Sequence, residues 1–372
     1  MAPLTLPPCL PPSLPPSPGA GASSPHSPAF AAAALSCDAQ TLVADSDFWE
    51  RYSELRPLGR GCFGTVMLVR ERGGAAGDAG TSTAPLAAKV VVTDDAAHAL
   101  NEATLLRSLD HPHIVSLHDV YASASTIFVL MGAELGGDLC SRAEAAPGGV
   151  LTEADALAPL AGVLSALDYL HSRHQIVHRD VKASNVLLAA DGRTAKLGDF
   201  GLAAKLPDSG RLTSVCGTHD FLAPEMIRTG HGECDGYGAS VDLWAVGLML
   251  HGLLFGTNPF ERDTDIATLQ AILAGDYQPP PAAAAPAAAP ADGAVFSPAV
   301  ADIVSPAAGA RIGSAASAEV RDLLAALLVI EPSERATAAE AHERVCRMRD
   351  ALTSEAWWMK GRLWKALFSR AG

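Results

Sequence analysis

The spacing of apolar residues changes partway along the chain, and this change limits the folds that the chain can adopt. From Phe48 onward, apolar and polar residues alternate, whereas beyond Thr152 apolar residues recur at helical spacing. A period of two predicts strands, and a period near 3.6 predicts helices. Strands followed by helices indicate an α+β fold in two parts. We therefore expect a small β-rich N-terminal lobe over about residues 50–131 and a larger α-helical C-terminal lobe over about residues 134–350.

Two segments have a composition that cannot build a hydrophobic core. Residues 1–47 are largely Pro, Ala and Ser with no Lys or Arg, and residues 279–316 are again rich in Ala and Pro. Such segments bury too little apolar surface to offset the entropy of ordering. We expect residues 1–47 to form a disordered tail; the alternative is a plastid-like transit peptide, although these normally carry arginines. We expect residues 279–316 to be a low-complexity insert in the helical lobe.

The overall charge and the cysteines exclude several classes of protein. The formal net charge of −14 argues against nucleic-acid binding, because phosphate backbones attract a basic surface. Seven cysteines without a CxxC pair signal neither a zinc site nor a disulfide framework, so a reducing compartment fits best. We expect a cytoplasmic protein, with the nucleus and the plastid as open alternatives. The longest apolar stretch, residues 245–255, is too short to span a bilayer.

A glycine-rich stretch lies between two segments with strand-like alternation. Its sequence is Gly59-Arg60-Gly61-Cys62-Phe63-Gly64-Thr65-Val66, preceded by Leu58. Positions without a side chain allow backbone N–H groups to approach phosphates, which indicates a nucleotide-binding loop. An ordinary glycine-rich hairpin turn would look similar. The strand on either side distinguishes this stretch from a dinucleotide-binding turn, which leads into a helix.

A single lysine interrupts the apolar strand Ala87-Ala88-Lys89-Val90-Val91. A buried ammonium group is costly without anions beside it. The ATP phosphates and Glu102 would supply them, since Glu102 lies on a helix that we predict from about Asp94 to Ser108. The alternative is an edge-strand lysine that extends its charge into solvent.

Two further motifs carry the residues that point to a specific chemistry. They are His178-Arg179-Asp180-Val181-Lys182-Ala183-Ser184-Asn185 and Asp199-Phe200-Gly201, separated by a predicted pair of short strands. Together with the glycine-rich stretch and Lys89, in this order, they resemble the catalytic and metal-binding loops of eukaryotic serine/threonine protein kinases. The resemblance covers about residues 50–350. It implies the bilobal protein kinase fold, with one regulatory helix in the N-lobe.

The resemblance also implies a role for each matching residue. Asp180 would orient the substrate hydroxyl and accept its proton, and Lys182 would neutralise the γ-phosphate and mark a serine/threonine rather than a tyrosine kinase. Asn185 and Asp199 would hold Mg²⁺ through oxygen ligands. The implied cofactors are ATP and Mg²⁺, and the implied partners are protein substrates. The implied ATP-binding residues are Leu58, Gly59, Gly61, Gly64, Val66, Ala87, Lys89, Glu102, the gatekeeper Met131, the hinge residue Ala133, and Asp138.

Residues 51–72, residues 236–260 and Gly275-Asp276-Tyr277 resemble the calcium/calmodulin-dependent kinase group. Polo-like and checkpoint kinases share parts of this pattern, including Cys216-Gly217-Thr218. Ala223-Pro224-Glu225 matches a block of the kinase family, and Glu225 is expected to pair with Arg335. Asp242 is expected to brace the backbone of the catalytic loop. Ser184 stands where relatives that prefer basic substrates often have Glu, so arginine-directed specificity does not carry over.

The resemblance implies control by phosphorylation, because Arg179 precedes the catalytic aspartate. An upstream kinase would modify Ser214 or, second, Thr213, and the phosphate would pair with Arg179. His219 stands where the family usually has proline.

The C-terminal segment, residues 351–372, is basic and aromatic in an acidic protein. Trp357, Gly361, Trp364 and Phe368 would share one helical face. Residues 357–370 could therefore contact a calmodulin-like partner or a membrane surface, or act as an autoinhibitory helix. The alternative is a helix that packs on the C-lobe.

A second function class is a catalytically inactive pseudokinase or scaffold. Its signature would be the loss of Lys89, Asp180, Asn185 or Asp199, and the sequence retains all four.

Overall fold

The structure is a computed structural model in two lobes. It describes residues 40–41, 44–61, 64–72, 84–92, 96–123, 125–278 and 316–352. Most of the predicted tail, almost all of the predicted insert, and residues 353–372 of the C-terminal segment lie outside the described residues. The predictions for those segments therefore stay predictions. The bilobal α+β fold is confirmed.

The N-lobe is built on a six-stranded sheet in the order β1-β5-β6-β4-β3-β2. Its neighbours pair antiparallel, except that β1 runs parallel to β5. The two strands at the centre of the sheet, between β5 and β3, are rich in branched and aromatic residues and buried along most of their length, whereas most of the edge strand β2 is exposed. The strands are β1 Gln40–Thr41, β2 Tyr52–Gly61, β3 Gly64–Glu71, β4 Leu86–Val92, β5 Leu117–Ala122 and β6 Thr126–Gly132.

The described residues include a strand and the start of a helix inside residues 1–47, the span for which the sequence predicts a disordered tail. Strand β1 already pairs with β5, and helix α1, Asp45–Arg51, follows it. The Asp45 carboxylate accepts hydrogen bonds from the hydroxyls of Ser123 and Thr126, the latter at 2.7 Å. Phe48 is fully buried and stacks on Phe128, with ring centroids 4.1 Å apart. A composition averaged over the tail does not detect such single anchors.

One helix, α2 (Ala96–Arg107), lies between β4 and β5, as predicted for the regulatory helix. Its apolar residues Ala99, Leu100, Ala103 and Leu106 are buried against the sheet. Glu102 on the same helix is also buried, and it faces the Lys89 side of the sheet through a direct ion pair. The helix therefore carries a charged residue into the space between the lobes.

The C-lobe is helical. Helix α6 lies at its centre and is apolar on nearly all sides, as expected of a helix that other elements surround. Among the described residues, no helix is both long enough and apolar enough to cross a membrane. The helices are α3 Leu139–Glu144, α4 Glu153–Asp168, α5 Pro224–Gly230, α6 Ser240–Phe255, α7 Asp265–Ala274, α8 Ala318–Leu327 and α9 over residues 338–352.

Two short strand pairs lie where the helical lobe meets the N-lobe. Strands β8 (Val186–Leu188) and β9 (Ala195–Leu197) form one pair, and β7 (Ile176–Val177) and β10 (Ala204–Lys205) form the other. The predicted strands around 186–188 and 195–197 are confirmed. The two pairs hold the segments that follow β7 and β9, and these segments carry the catalytic motifs.

A buried ion pair joins distant parts of the C-lobe, as predicted from the sequence. The Arg335 guanidinium donates to both oxygens of Glu225, at 2.6 and 3.0 Å, and also to the Ser240 carbonyl oxygen. The Arg335 side chain is fully buried and lies over the Trp244 ring. Removal of one partner of such a pair is costly, because the other partner then remains as a charge that is buried away from solvent and uncompensated.

We predict that Arg335→Met lowers the free energy of unfolding by about 3–5 kcal/mol, since it leaves the Glu225 carboxylate buried and unpaired. Urea denaturation monitored by circular dichroism measures this. The control is Arg347→Met, which removes an exposed ion pair with Glu343 and is expected to cost less than about 0.5 kcal/mol. Equal losses in the two variants would contradict this account.

Candidate active site

The predicted lysine is buried and lies between two carboxylates. Lys89 Nζ lies 2.7 Å from Glu102 Oε2 and 2.9 Å from Asp199 Oδ1. The Lys89 side chain is 10% exposed and that of Glu102 is 1% exposed, whereas that of Asp199 is 36% exposed. The N-lobe sheet, its helix and a loop of the C-lobe therefore meet at one ammonium group. The alternative of an edge-strand lysine extended into solvent is wrong, because β4 lies inside the sheet between β6 and β3.

The two carboxylates keep this lysine charged. Burial alone lowers the pKa of the Lys89 ammonium, but the charges of Glu102 and Asp199 outweigh it, so that the pKa lies above its ordinary value. The second oxygen of Glu102 accepts a hydrogen bond from the Phe200 backbone N–H at 3.2 Å. Glu102 thus fixes both the lysine and the residue that follows Asp199.

The strands predicted on either side of the glycine-rich stretch are present, and they pair antiparallel. Gly59 lies opposite Val66, and Val66 lies opposite Lys89, so the three occupy neighbouring cross-strand positions. At Gly64 the backbone φ is 150°, and a β-carbon there would lie 2.3 Å from the Val90 carbonyl oxygen. Only glycine fits this close approach. Cys62 and Phe63 at the tip lie outside the described residues.

The predicted base, Asp180, is buried and bonded on both carboxylate oxygens. Oδ1 accepts hydrogen bonds from the Thr218 hydroxyl at 2.7 Å and its N–H at 3.1 Å. Oδ2 lies 2.8 Å from Lys182 Nζ and accepts from Asn185 Nδ2 at 2.9 Å. Lys182 Nζ also donates to the Thr218 hydroxyl. The predicted catalytic residues Asp180, Lys182 and Asn185 therefore form one bonded group.

These contacts lower the pKa of Asp180. Burial alone raises the pKa of this carboxyl group, but the hydrogen bonds from Lys182 and Thr218 and the charge of Lys182 lower it below its usual value. The group is therefore an ionised acceptor near neutral pH. An ionised carboxylate is the form that can accept a proton.

Asp242 braces the catalytic loop from below, as predicted. Its buried carboxylate accepts hydrogen bonds from the backbone N–H groups of His178 and Arg179, each at 2.8 Å, and contacts His171 Nε2 at 2.8 Å. Arg179 has a φ of 67°, a left-handed conformation that costs energy for a non-glycine residue. The Asp242 carboxylate stabilises this backbone geometry.

The predicted gatekeeper Met131 lies near the end of β6, opposite Ala87 on β4, and the predicted hinge residue Ala133 follows the end of that strand. Asp138 caps helix α3, because its carboxylate accepts from the N–H and the hydroxyl of Ser141, each at 2.8 Å. Its implied role in ATP binding stays a prediction.

The oxygen donors of Asn185 and Asp199 fit a shared Mg²⁺ site. The Asn185 amide nitrogen donates to Asp180, which leaves its side-chain carbonyl oxygen as the atom that can ligate. The Gly198 N–H donates to the backbone carbonyl oxygen of Asn185 at 2.9 Å, which brings the segment that carries Asp199 beside Asn185. Among the described residues, no group of three His, Cys, Asp or Glu could hold a metal alone. Mg²⁺ typically binds one or two protein oxygens together with phosphates, and these two residues suit that arrangement.

A strand-rich lobe over a helical lobe, with charged residues of both meeting between them at Lys89, is the architecture of the two-lobed kinases. Residues 52–345 match the family model for the protein kinase domain. The chain therefore belongs to the protein kinase family.

The chain is similar to several curated kinases. It is 40% identical to CBL-interacting protein kinase 4 of Oryza sativa subsp. japonica, over 59% of this chain and 47% of the relative. It is 37% identical to calcium/calmodulin-dependent protein kinase type 1B of Rattus norvegicus, over 61% of this chain and 63% of the relative. It is 31% identical to the phosphorylase b kinase gamma catalytic chain, liver/testis isoform, of Bos taurus, over 80% of this chain and 67% of the relative. The chain spans about half to two thirds of the length of these relatives. The predicted serine/threonine kinase class and its relation to the calmodulin-dependent group are confirmed.

Sequence reasoning missed two residues that contact the catalytic motifs. Thr218 bonds both Asp180 and Lys182, although Cys216-Gly217-Thr218 served only as a subfamily marker. His171 contacts Asp242, and no motif pointed to it. A threonine beside glycine in the activation segment, between Asp199 and Glu225, could have indicated Thr218. His171 lies at a helical position with no local signal.

We predict that Thr218→Val moves the acid limb of the kcat/KM pH profile to higher pH. A hydroxyl that lowers the pKa of Asp180 is lost, so the pKa rises and the base becomes protonated at a higher pH. At neutral pH, kcat/KM falls by about tenfold or more. Thr218→Ser keeps the hydroxyl and is expected to retain the wild-type profile. An acid limb that stays in place or moves to lower pH in the valine variant would disprove the role of Thr218.

Proposed function

We propose that this protein transfers the γ-phosphate of ATP to serine or threonine hydroxyls of protein substrates. The observation that supports this most is the state of Asp180. It is an ionised carboxylate with its pKa lowered, and it is bonded to Lys182, Asn185 and Thr218 in one group. Phosphoryl transfer requires positioning and charge neutralisation more than covalent help, and this group offers both.

Each residue has a task that follows from its charge and contacts. Asp180 orients the substrate hydroxyl and accepts its proton, while Lys182 neutralises charge that develops on the transferred phosphoryl group. Lys89 binds the nucleotide phosphates in the position that Glu102 sets. Asn185 and Asp199 hold Mg²⁺, which supplies positive charge to the phosphates when bound.

An inactive scaffold is the competing proposal. A scaffold has no need to hold a buried aspartate ionised, because a neutral side chain would cost less to bury. Here Lys89, Asp180, Asn185 and Asp199 are all present, with Lys89 bonded to Asp199 and Asn185 bonded to Asp180. These contacts favour turnover.

We predict that Asp180→Asn lowers transfer of radiolabel from ATP to a generic protein substrate by at least about a hundredfold, since amide nitrogen and oxygen cannot accept the proton. The matched control is Asp322→Asn, an exposed position on α8, which is expected to keep wild-type labelling. Equal labelling by Asp180→Asn and wild type would refute the assignment. Absence of labelling by the wild type, on any protein substrate tested, would favour the scaffold.

We further propose that phosphorylation of Ser214 activates the protein. Arg179 Nη1 donates to the Ser214 hydroxyl at 2.8 Å, and Arg179 Nε donates to the Leu202 carbonyl oxygen at 2.7 Å. A phosphate on Ser214 would form stronger, charge-assisted hydrogen bonds with the same guanidinium. Because Arg179 also contacts Leu202, it would couple that phosphate to the segment after Asp199. Ser214 is the better supported of the two sites, because Arg179 already contacts its hydroxyl.

We predict that Ser214→Ala lowers kcat by about tenfold to a hundredfold in protein that was first incubated with Mg-ATP and an upstream kinase. Phosphosite mapping by mass spectrometry is expected to place the phosphate on Ser214 in the wild type. Thr213→Ala is the neighbouring control and is expected to keep full activity. A larger loss in Thr213→Ala than in Ser214→Ala would reverse the assignment.

A further inference from the structure

The segment that joins the two lobes is held at its first residue by the N-lobe. The Gly132 N–H donates to the Ser116 carbonyl oxygen at 3.0 Å. A β-carbon at Gly132 would lie 2.8 Å from the Ser116 hydroxyl oxygen. The backbone at Gly132 therefore lies close to Ser116, and a larger residue at position 132 would displace it.

The same segment is held at its other end by the C-lobe. The Gly136 N–H donates to the Leu188 carbonyl oxygen at 2.8 Å, and the Leu188 N–H donates to the Gly137 carbonyl oxygen at 2.8 Å. A β-carbon at Gly136 would lie 2.2 Å from the Ala189 carbonyl oxygen. Glycine is required here because two backbones approach each other. We name residues 132–136 the hinge segment.

An ion pair attaches the middle of the hinge segment to the C-lobe. Glu134 Oε1 lies 2.7 Å from Lys196 Nζ, and their side chains are 9% and 25% exposed. Lys196 lies on β9, opposite Leu187 of β8. A charge-assisted bond of this length between partly buried groups is stronger than a surface pair.

Strand β9 is itself fixed on its other side. The Leu197 N–H donates to the His113 carbonyl oxygen at 2.9 Å, and the Val115 N–H donates to the Leu197 carbonyl oxygen at 3.1 Å. Lys196 therefore extends from a strand with backbone partners on both edges. Three residues further along the chain lies Asp199, the predicted metal ligand.

We propose that Glu134 and Lys196 are positioning residues for the nucleotide. The pair holds the midpoint of the hinge segment at a fixed distance from the strand that leads into Asp199. It thereby sets the adenine end of the site relative to the phosphate end. This inference rests on the proposed function, in which Asp199 holds Mg²⁺ at the phosphates, and on the role in ATP binding that the kinase resemblance implies for the hinge residue Ala133.

Loss of Lys196 would leave Glu134 as a largely buried carboxylate without its counter-ion. Such a group turns toward solvent, because an uncompensated buried charge is expensive. Since Glu134 lies only two residues from each glycine anchor, its rotation would displace the backbone between them. Small displacements of positioning groups have large effects on binding and rate.

The test measures nucleotide binding and turnover separately in the full chain. The affinity for Mg-ADP is measured by titration calorimetry, and kcat and the KM for ATP by steady-state kinetics. We expect Lys196→Met to raise both the dissociation constant of Mg-ADP and the KM for ATP roughly tenfold, with kcat at saturating ATP within about twofold of wild type. Lys196→Arg keeps the charge and is expected to restore both values to within about twofold of wild type.

Glu134→Gln is the second variant, and it carries the test if Lys196→Met does not fold. It keeps the shape of the side chain and is also expected to weaken Mg-ADP binding. The double variant is expected to lose no more affinity for Mg-ADP than the weaker-binding of the two single variants. Both substitutions remove the same interaction, the ion pair between Glu134 and Lys196. Glu319→Gln, an exposed position on α8, is the matched control and is expected to bind as wild type does.

Unchanged Mg-ADP affinity in both single variants would overturn the inference. So would an equal fall of kcat and affinity that parallels a lower melting temperature, since that result indicates a structural role only. A wild-type protein that binds Mg-ADP but labels no protein substrate would refute the proposed function and leave this inference standing. A wild-type protein that binds no nucleotide would refute both.

Discussion

The arrangement of both lobes depends on the burial of one ammonium group. Lys89 is paired with Glu102 on helix α2 and with Asp199 in the C-lobe, at 2.7 and 2.9 Å. Loss of either carboxylate would leave the buried ammonium group with one counter-ion instead of two, and a buried charge is costly when it is poorly compensated. The helix, the sheet and the loop that carries Asp199 therefore meet at a single charge.

Hydrogen bonds carry this constraint from the N-lobe to the base. The Glu102 carboxylate accepts a hydrogen bond from the Phe200 N–H. Two residues earlier in the chain, the Gly198 N–H donates to the backbone carbonyl oxygen of Asn185. Asn185 in turn donates to Asp180, which Thr218 of the activation segment also contacts. Because each member bonds the next, the regulatory helix and the activation segment both affect the geometry around Asp180. A phosphate on Ser214 would act on the same chain of contacts through Arg179.

The sequence predicted the contacts for which a buried charge requires a partner. The pairing of Lys89 with Glu102 was predicted from a lysine in an apolar strand. The pairing of Glu225 with Arg335 was predicted from family markers 110 residues apart. Both pairs are present. Other contacts had no such signal. Phe48 and Asp45 are single anchors beside a Pro- and Ala-rich stretch, and only the folded sheet offers their partners. Glu134 and Lys196 are residue types that are common on protein surfaces, so the sequence does not mark them as partners. They meet because the backbone at Gly132 and at Gly136 lies close to neighbouring residues of the fold.

The central claim is that the charges around Lys89 form one site for ATP and Mg²⁺ together. Calorimetric titration of ATP into the wild type and into Asp199→Asn, each with and without Mg²⁺, tests it most directly. Addition of Mg²⁺ is predicted to tighten ATP binding to the wild type by about tenfold or more, and to have little effect on the Asp199→Asn variant, which keeps Lys89 but loses the carboxylate ligand. ATP binding to the wild type that does not respond to Mg²⁺, or an equal response in both proteins, would contradict the account.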